Sequence, residues 1–348
     1  MSELDQYDYD LPPELIAQHP LRNRSDARLL VVDRAANSLT HAYVRDLPEY
    51  LHPGDCLVLN DTRVMPARLV GRRTATGGRW TGLYLSSNAR GDWLVLGKTR
   101  GKLQPGETVT LEDRYAMPRF SLTMLAKLDG GAWAARPSIP GDALTLLEQV
   151  GRTPLPHYIR GGEMVDSDAE TYQTVFATHP GSVAAPTAGL HLTHELLAQI
   201  ELRGVTVCRV TLHVGIGTFR PITAERLEDH TMHSEWCSLS PETAQTLLAH
   251  RRQGGRIVAV GTTSARVLET AARGGTLQAF HGETDLFIRP PHQFRAVDAL
   301  MTNFHLPRST LLVLVRTLGG DALMRRAYQE AIDERYRFYS YGDAMLIV

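Results

Sequence analysis

The sequence predicts an α/β layer domain carrying an inserted small antiparallel β-barrel, and three observations predict it. Between about Thr62 and Ser138 short apolar runs recur at regular intervals, divided by glycine-bearing turns, as the strands of a small barrel or sandwich do. After Pro140 the apolar period becomes helical and alternates with strand-like runs, which argues a layered α/β architecture. Charge divides at the same boundary. From Asp61 to Arg136 there are 13 basic and 6 acidic residues, a net of +7, while the remainder carries −8. A length of 348 residues suits two domains. The expected division is residues 1–61 with 152–348 as the α/β domain, and 62–151 as the barrel.

The elements follow in order. Pro12-Pro13-Glu14 suits the first turn of a short helix. Arg28–Val32 and Leu39–Val44 flank Ala35-Ala36-Asn37-Ser38 and read as a hairpin. Pro53-Gly54-Asp55 turns the chain into the apolar strand Cys56–Leu59. The barrel runs are Ala67–Gly71, Gly82–Leu85, Trp93–Leu96, Thr108–Leu111, Leu122–Leu128 and Ala132–Ala135. Beyond them Leu144, Leu147 and Val150 share a helical face, and Thr193–Leu202 is a second amphipathic helix. Strand Val205–Val214, helix Pro241–Arg252, strand Arg256–Val260, helix Thr262–Arg273 and strand Leu286–Ile288 follow. Ser309–Arg337 is helical, broken at Gly319-Gly320.

Composition excludes several classes. With 43% apolar and 22% charged residues the chain is not disordered. Its longest apolar run near the C-terminus, Leu311–Val315, is too short to cross a bilayer. The first twenty residues carry five acids and no Lys or Arg, unlike a signal peptide. Cys56, Cys208 and Cys237 make neither a disulfide framework nor a paired-cysteine zinc site. A cytoplasmic, monomeric protein without a metal is the expectation. The barrel segment is a cationic patch suited to a polyanion, or an ordinary solvated face.

Candidate chemistry clusters in the α/β half. Val260-Gly261-Thr262-Thr263-Ser264 runs a strand into a helix start, offering N–H groups and hydroxyls to a carboxylate or phosphate, or merely a helix cap. His230-Thr-Met-His233-Ser-Glu235 brings imidazole and carboxylate close enough to pair and tune a base. Gly189 beside His191, and Gly215, Gly217 and Thr218 beside His213, let backbone approach a ligand. Asn303 and His305 just before a helix suit a nucleobase edge. Arg335–Asp343, with Tyr341, is an aromatic and arginine cluster that suits stacking on a base or a sulfonium, or a core.

Taken in order, Asn60–Leu69, Pro154–Ile159, Tyr172–Phe176, Ala184–His191, Leu212–Phe219, Met232–Glu235, Val260–Ser264, Thr302–Pro307 and Tyr339–Met345 resemble the S-adenosylmethionine:tRNA ribosyltransferase-isomerases of queuosine biosynthesis. The segments Gly77–Leu85, without an acidic residue, and Ile288–Phe294, with Pro290, Pro291 and His292, depart from that pattern. The resemblance implies a donor, S-adenosylmethionine, consumed as co-substrate with no further cofactor. It implies an acceptor, 7-aminomethyl-7-deazaguanine at the tRNA wobble position. Adenine and methionine leave and epoxyqueuosine-tRNA forms. Such chemistry needs a base beside the sulfonium and an acid for departing adenine, and these transfers are assigned, unordered, to His191, His213, His233 and Glu235. Gly189, Gly215, Gly217, Thr218, Gly261, Thr262, Thr263, Ser264, Asn303, His305, Tyr341 and Asp343 are expected to bind substrate. Arg63, Arg68, Arg72, Arg73 and Arg79 are expected to hold tRNA phosphates. A tRNA methyltransferase using the same donor, or a non-catalytic RNA-binding protein, is the alternative.

Overall fold

A computed structural model describes residues 3–215, 217, 222 and 224–348. The chain divides into two compact units. One comprises residues 1–63, 158–161 and 171–348, and the other residues 64–157 and 162–170.

The larger unit is built on a nine-stranded sheet. Its order is Phe280–Thr284, Glu235–Leu239, Thr206–Leu212, Cys56–Asn60, Ile257–Val260, Ala299–Asn303, Ala344–Ile347, Arg28–Asp33 and Ser38–Tyr43. The four strands from Thr206–Leu212 to Ala299–Asn303 are mutually parallel. Apolar side chains alternate between two cores, as the two-residue period of a strand requires. Val58, Val210, Ala259 and Leu300 lie in one core, with residues of helices Pro241–Arg252, Thr262–Ala271, Thr310–Gly319 and Asp321–Asp333. Leu59, Val258, Val260 and Met301 lie in the other, with Leu196 and Ile200 of helix His194–Leu202. Near-continuous apolar strands are what a parallel sheet covered on both faces demands.

The smaller unit is a closed barrel of six antiparallel strands, Arg68–Arg73, Arg79–Ser87, Trp93–Thr99, Thr108–Glu112, Pro118–Lys127 and Ala132–Pro137. Trp80 and Trp93 fill its interior. Trp93 meets Tyr84 edge-on at 5.1 Å and Phe120 at 6.1 Å. The Trp80 ring fits only because Gly82 and Gly97 lack side chains. A Cβ at Gly82 would stand 2.1 Å from the ring, which no packing tolerates.

The hairpin, the barrel strands and the long helices lie where the hydrophobic pattern puts them. The run Leu286–Ile288 does not form a strand. Pairing occurs five residues earlier, at Phe280–Thr284, because the Thr284 hydroxyl accepts the Leu286 N–H and Leu286 O accepts from Arg266 Nε. Those bonds turn the apolar run into a recess wall. The last helix ends at Asp333 rather than Arg337. No helix is long and apolar enough to cross a membrane among the described residues.

Candidate active site

The parallel strands define where a ligand can sit. Cys56–Asn60 is flanked by Thr206–Leu212 on one side and Ile257–Val260 on the other, and the helices that precede those neighbours cover opposite faces. Chains diverging this way leave a crevice beyond the carboxyl ends of the strands. Asn60 stitches that edge together. Its amide donates to Leu212 O at 3.0 Å and Thr263 Oγ1 at 3.1 Å, and its Oδ1 accepts the N–H groups of Leu212 and Thr62. The carboxylate of the neighbouring Asp61 accepts from Thr211 Oγ1 at 2.7 Å and lies 3.2 Å from His179.

A cleft of about 670 Å³ opens here, lined by residues 185–188, 261–263, 302–306 and 339–340 with Tyr158, Val214, Ser309 and Leu311. No Asp, Glu, Lys or Arg is among these lining residues. Gly261 holds φ +86° at the start of helix Thr262–Ala271, whose first turn has no side-chain cap. Its N–H groups are therefore left for a ligand. Asn303 is held on several sides. Thr187 Oγ1 donates to its Oδ1 at 2.9 Å, while its amide donates to His191 Nε2 at 3.1 Å and Tyr339 O at 3.2 Å. The rings of Tyr158 and Tyr339 lie 4.8 Å apart, and Tyr158 Oη meets Ser340 Oγ at 2.7 Å. His305 Nε2 lies 2.8 Å from Thr302 Oγ1, and burial pushes this imidazole down to about 3. It is neutral at physiological pH.

Gly261, Thr262, Thr263, Asn303 and His305 meet in this cleft. Ser264 does not line it, because its hydroxyl donates to Val260 O at 2.8 Å. Gly189 is packed behind, where a Cβ would stand 2.8 Å from Phe176. Asp343 is a backbone clasp, its two oxygens accepting the N–H groups of Arg28 and Arg337. Thr218 lies outside the described residues.

The four proton-transfer candidates do not converge. His191 lines a different cleft, together with Tyr341, and is pushed down to about 4 by burial, then by Arg337 and Arg24. His213 stacks on Trp236 with ring centroids 4.9 Å apart and meets Thr62 Oγ1 at 2.8 Å. Burial and the nearby His179 lower its pKa. His233 and Glu235 share a recess of about 440 Å³ with Gly217, His230 and Arg266, and Leu311 lines both this recess and the main cleft. Glu235 is buried and engaged, with Oε1 accepting the Gly215 N–H at 2.7 Å and Oε2 paired with Arg266. A carboxylate held by a guanidinium is a positioning group rather than a proton carrier. His233 has no hydrogen-bond partner among the described residues.

The arginines differ in availability. Arg72 pairs with Glu112 at 2.9 Å and Arg73 with Glu107 at 2.5 Å. Arg79 stands 4.0 Å from Glu163 with both side chains exposed. Desolvation lowers the Arg68 pKa, and Arg152 and Arg79 oppose its charge while Glu163 supports it. Arg63 is exposed.

Asn60, Tyr158, Thr187, Thr302 and Tyr339 lie in segments that carry the family resemblance, but sequence reasoning assigned them no individual role. Asn60 ends an unbroken apolar strand, and a polar residue at the carboxyl end of a buried strand is the signal that marks it. The others come from a strand end, a short helical turn and two loops, whose convergence only the fold reveals.

The sequence profile of a family described as queuosine biosynthesis protein matches residues 4–347. A protein of Symbiobacterium thermophilum named S-adenosylmethionine:tRNA ribosyltransferase-isomerase is 51% identical over 346 residues, covering 99% of this chain and 99% of that one. The crystal structure of S-adenosylmethionine tRNA ribosyltransferase from Thermotoga maritima is 36% identical. It aligns over 99% of this chain and 100% of its own, with a TM-score of 0.56.

Proposed function

Because the chain belongs to the queuosine biosynthesis protein family, we propose that it acts as an S-adenosylmethionine:tRNA ribosyltransferase-isomerase. The ribosyl unit of S-adenosylmethionine passes to the aminomethyl group of 7-aminomethyl-7-deazaguanine at the tRNA wobble position. Adenine and methionine leave, and the product is epoxyqueuosine-tRNA. S-Adenosylmethionine is consumed as a substrate.

The observation that carries this reading is the uncharged, aromatic-walled cleft at the carboxyl edge of the parallel strands. A sulfonium is a cation, and the Tyr158 and Tyr339 rings offer it π faces while the neutral His305 adds no opposing charge. The uncapped N–H groups of residues 262–264 suit the methionine carboxylate, and the Asn303 and Thr187 pair supplies fixed polar edges. Proton transfer falls to His233, whose imidazole is unengaged in the adjoining recess. Glu235 and Arg266 position that wall. Arg63, Arg68 and Arg79 meet tRNA phosphates, whereas Arg72 and Arg73 spend their charge on Glu112 and Glu107.

The test is chromatographic. Protein, S-adenosylmethionine and tRNA bearing the aminomethyl-deazaguanine should release adenine and methionine and add mass to the modified nucleoside, only when all three are present. S-Adenosylhomocysteine in place of adenine would identify a methyltransferase. His233→Ala should slow single-turnover adenine release by about 10²–10⁴-fold, the contribution of a positioned acid or base.

A further inference from the structure

A second cleft of about 430 Å³ lies next to the first, with Ser340 lining both. Arg22, Arg24 and His191 line it, with Thr171, the turn Ser340–Gly342 and apolar groups, and no carboxylate does. His191 is 5% exposed. Its Nε2 accepts the Asn303 amide at 3.1 Å, since an amide nitrogen only donates. The ring proton therefore resides on Nδ1, which has no hydrogen-bond partner among the described residues. Nη1 of Arg337 is buried and also without one, and the Arg337 charge acts on the His191 ring. Arg24 is fixed by donating to Gln173 O at 2.7 Å, whereas Arg22 is exposed, with no hydrogen bond or ion pair among the described residues.

A buried donor without an acceptor is destabilising, so a constellation that keeps one and leaves the His191 N–H unengaged implies an acceptor from outside the chain. Cationic forks around a neutral N–H donor, with no acid among the lining residues, select an oxyanion. Resting on the ribosyltransferase reading, a target base must leave its stack to reach the first cleft, and its own backbone must then be held beside that cleft. We infer that the second cleft is a phosphate-binding subsite that holds the phosphodiester next to the nucleotide being modified. His191 is then a binding residue that donates from Nδ1, not the base of the reaction.

Arg22→Ala tests this in the full-length protein, with Arg22→Lys as the charge-preserving variant and Arg252→Ala, an exposed arginine elsewhere on the same unit, as control. Binding of the modified tRNA is measured across a salt series, and KM is measured for both substrates. Arg22→Ala should weaken tRNA binding several-fold and reduce the slope of log affinity against log salt by about 0.7–0.9, the signature of one lost phosphate contact. Arg22→Lys should restore the slope, and Arg252→Ala should match the wild type. Adding inorganic phosphate to the protein alone should move the His191 Nδ1–H resonance. Unchanged tRNA affinity and slope in Arg22→Ala would overturn the inference, as would a rise in KM for S-adenosylmethionine alone, which would make the site a carboxylate pocket for the donor. An Arg22-dependent slope without any release of adenine by the wild type would leave the subsite standing and remove the ribosyltransferase reading. Normal turnover with an Arg22-independent slope would do the reverse.

Discussion

Acidification should unlock the larger unit through two buried imidazoles. His191 and His305 are pushed down to about 4 and about 3 from the usual 6.5. Burial is the first cause in both cases. A histidine with a depressed pKa favours folding fully above its unfolded value, and the contribution is lost as pH falls, because the unfolded chain takes up the proton first. Between pH 7 and pH 5 the linkage amounts to about 2 kcal/mol for each ring, about 4 kcal/mol together. That is a large share of the 5–15 kcal/mol, roughly, that holds a domain folded. Asp343, whose carboxyl is raised by burial, acts in the opposite direction, so the comparison of interest is wild type against single variants. Trp236 is the only tryptophan of the larger unit, since Trp80, Trp93 and Trp133 belong to the barrel unit. Fluorine NMR of fluorotryptophan-labelled protein during urea unfolding at each pH therefore isolates this unit. His305→Asn and His191→Asn should each remove about 2 kcal/mol of the pH dependence, whatever they do to stability at neutral pH. Identical pH slopes in wild type and both variants would show that the rings are hydrated and protonate freely, and the argument for a neutral His305 beside a sulfonium would fall.

Other outcomes follow from single contacts. Asn60→Ala breaks four bonds at the strand ends and should destabilise the larger unit by about 3 kcal/mol, seen as a lower urea midpoint with an unchanged slope. Glu235→Ala leaves Arg266 buried without its counter-ion and should lose about 3–5 kcal/mol, whereas replacing both by apolar residues of similar volume should recover most of it. Gly82→Ala pushes a methyl into Trp80 and should weaken the barrel by about 1–3 kcal/mol, with a shift in tryptophan emission at once diagnostic.

The fold was legible where one interaction dominates. Periodic apolar runs between polar turns define the barrel strands and the helix Pro241–Arg252, and the hairpin around Asn37 is marked by a residue that tolerates φ +52°. Six short strands escaped, Thr62–Val64, His179–Ser182, Glu235–Leu239, Phe280–Thr284, Ala299–Asn303 and Ala344–Ile347. Phe280–Thr284 alternates in exposure, but its inward residues include Gly282 and Thr284, so the alternation is not one of apolar against polar side chains, and Ala299–Asn303 is buried on every residue and shows no alternation at all. The site was legible in part. Gly261–Thr263, Asn303 and His305 are marked by chemistry at a strand-to-helix change, and they do meet. The dispersal of His191, His213 and His233 was not legible, since sequence proximity to glycine says nothing about which side of a sheet edge a ring faces. Nor was the engagement of Glu235 by Arg266, a pairing across 31 residues.

The sheet order has a consequence for synthesis. The hairpin Arg28–Tyr43 leaves the ribosome long before its other neighbour in the sheet, Ala344–Ile347. Until then Leu29–Val32, buried on both faces in the finished protein, offer an unpaired apolar edge, the kind that recruits other chains. The barrel, contiguous over most of its length, can complete itself during that wait. A nascent chain thus carries a finished module and an open seam side by side. Truncation before Ala344 would leave the seam open for good, and the product should aggregate although the rest of the sheet is present.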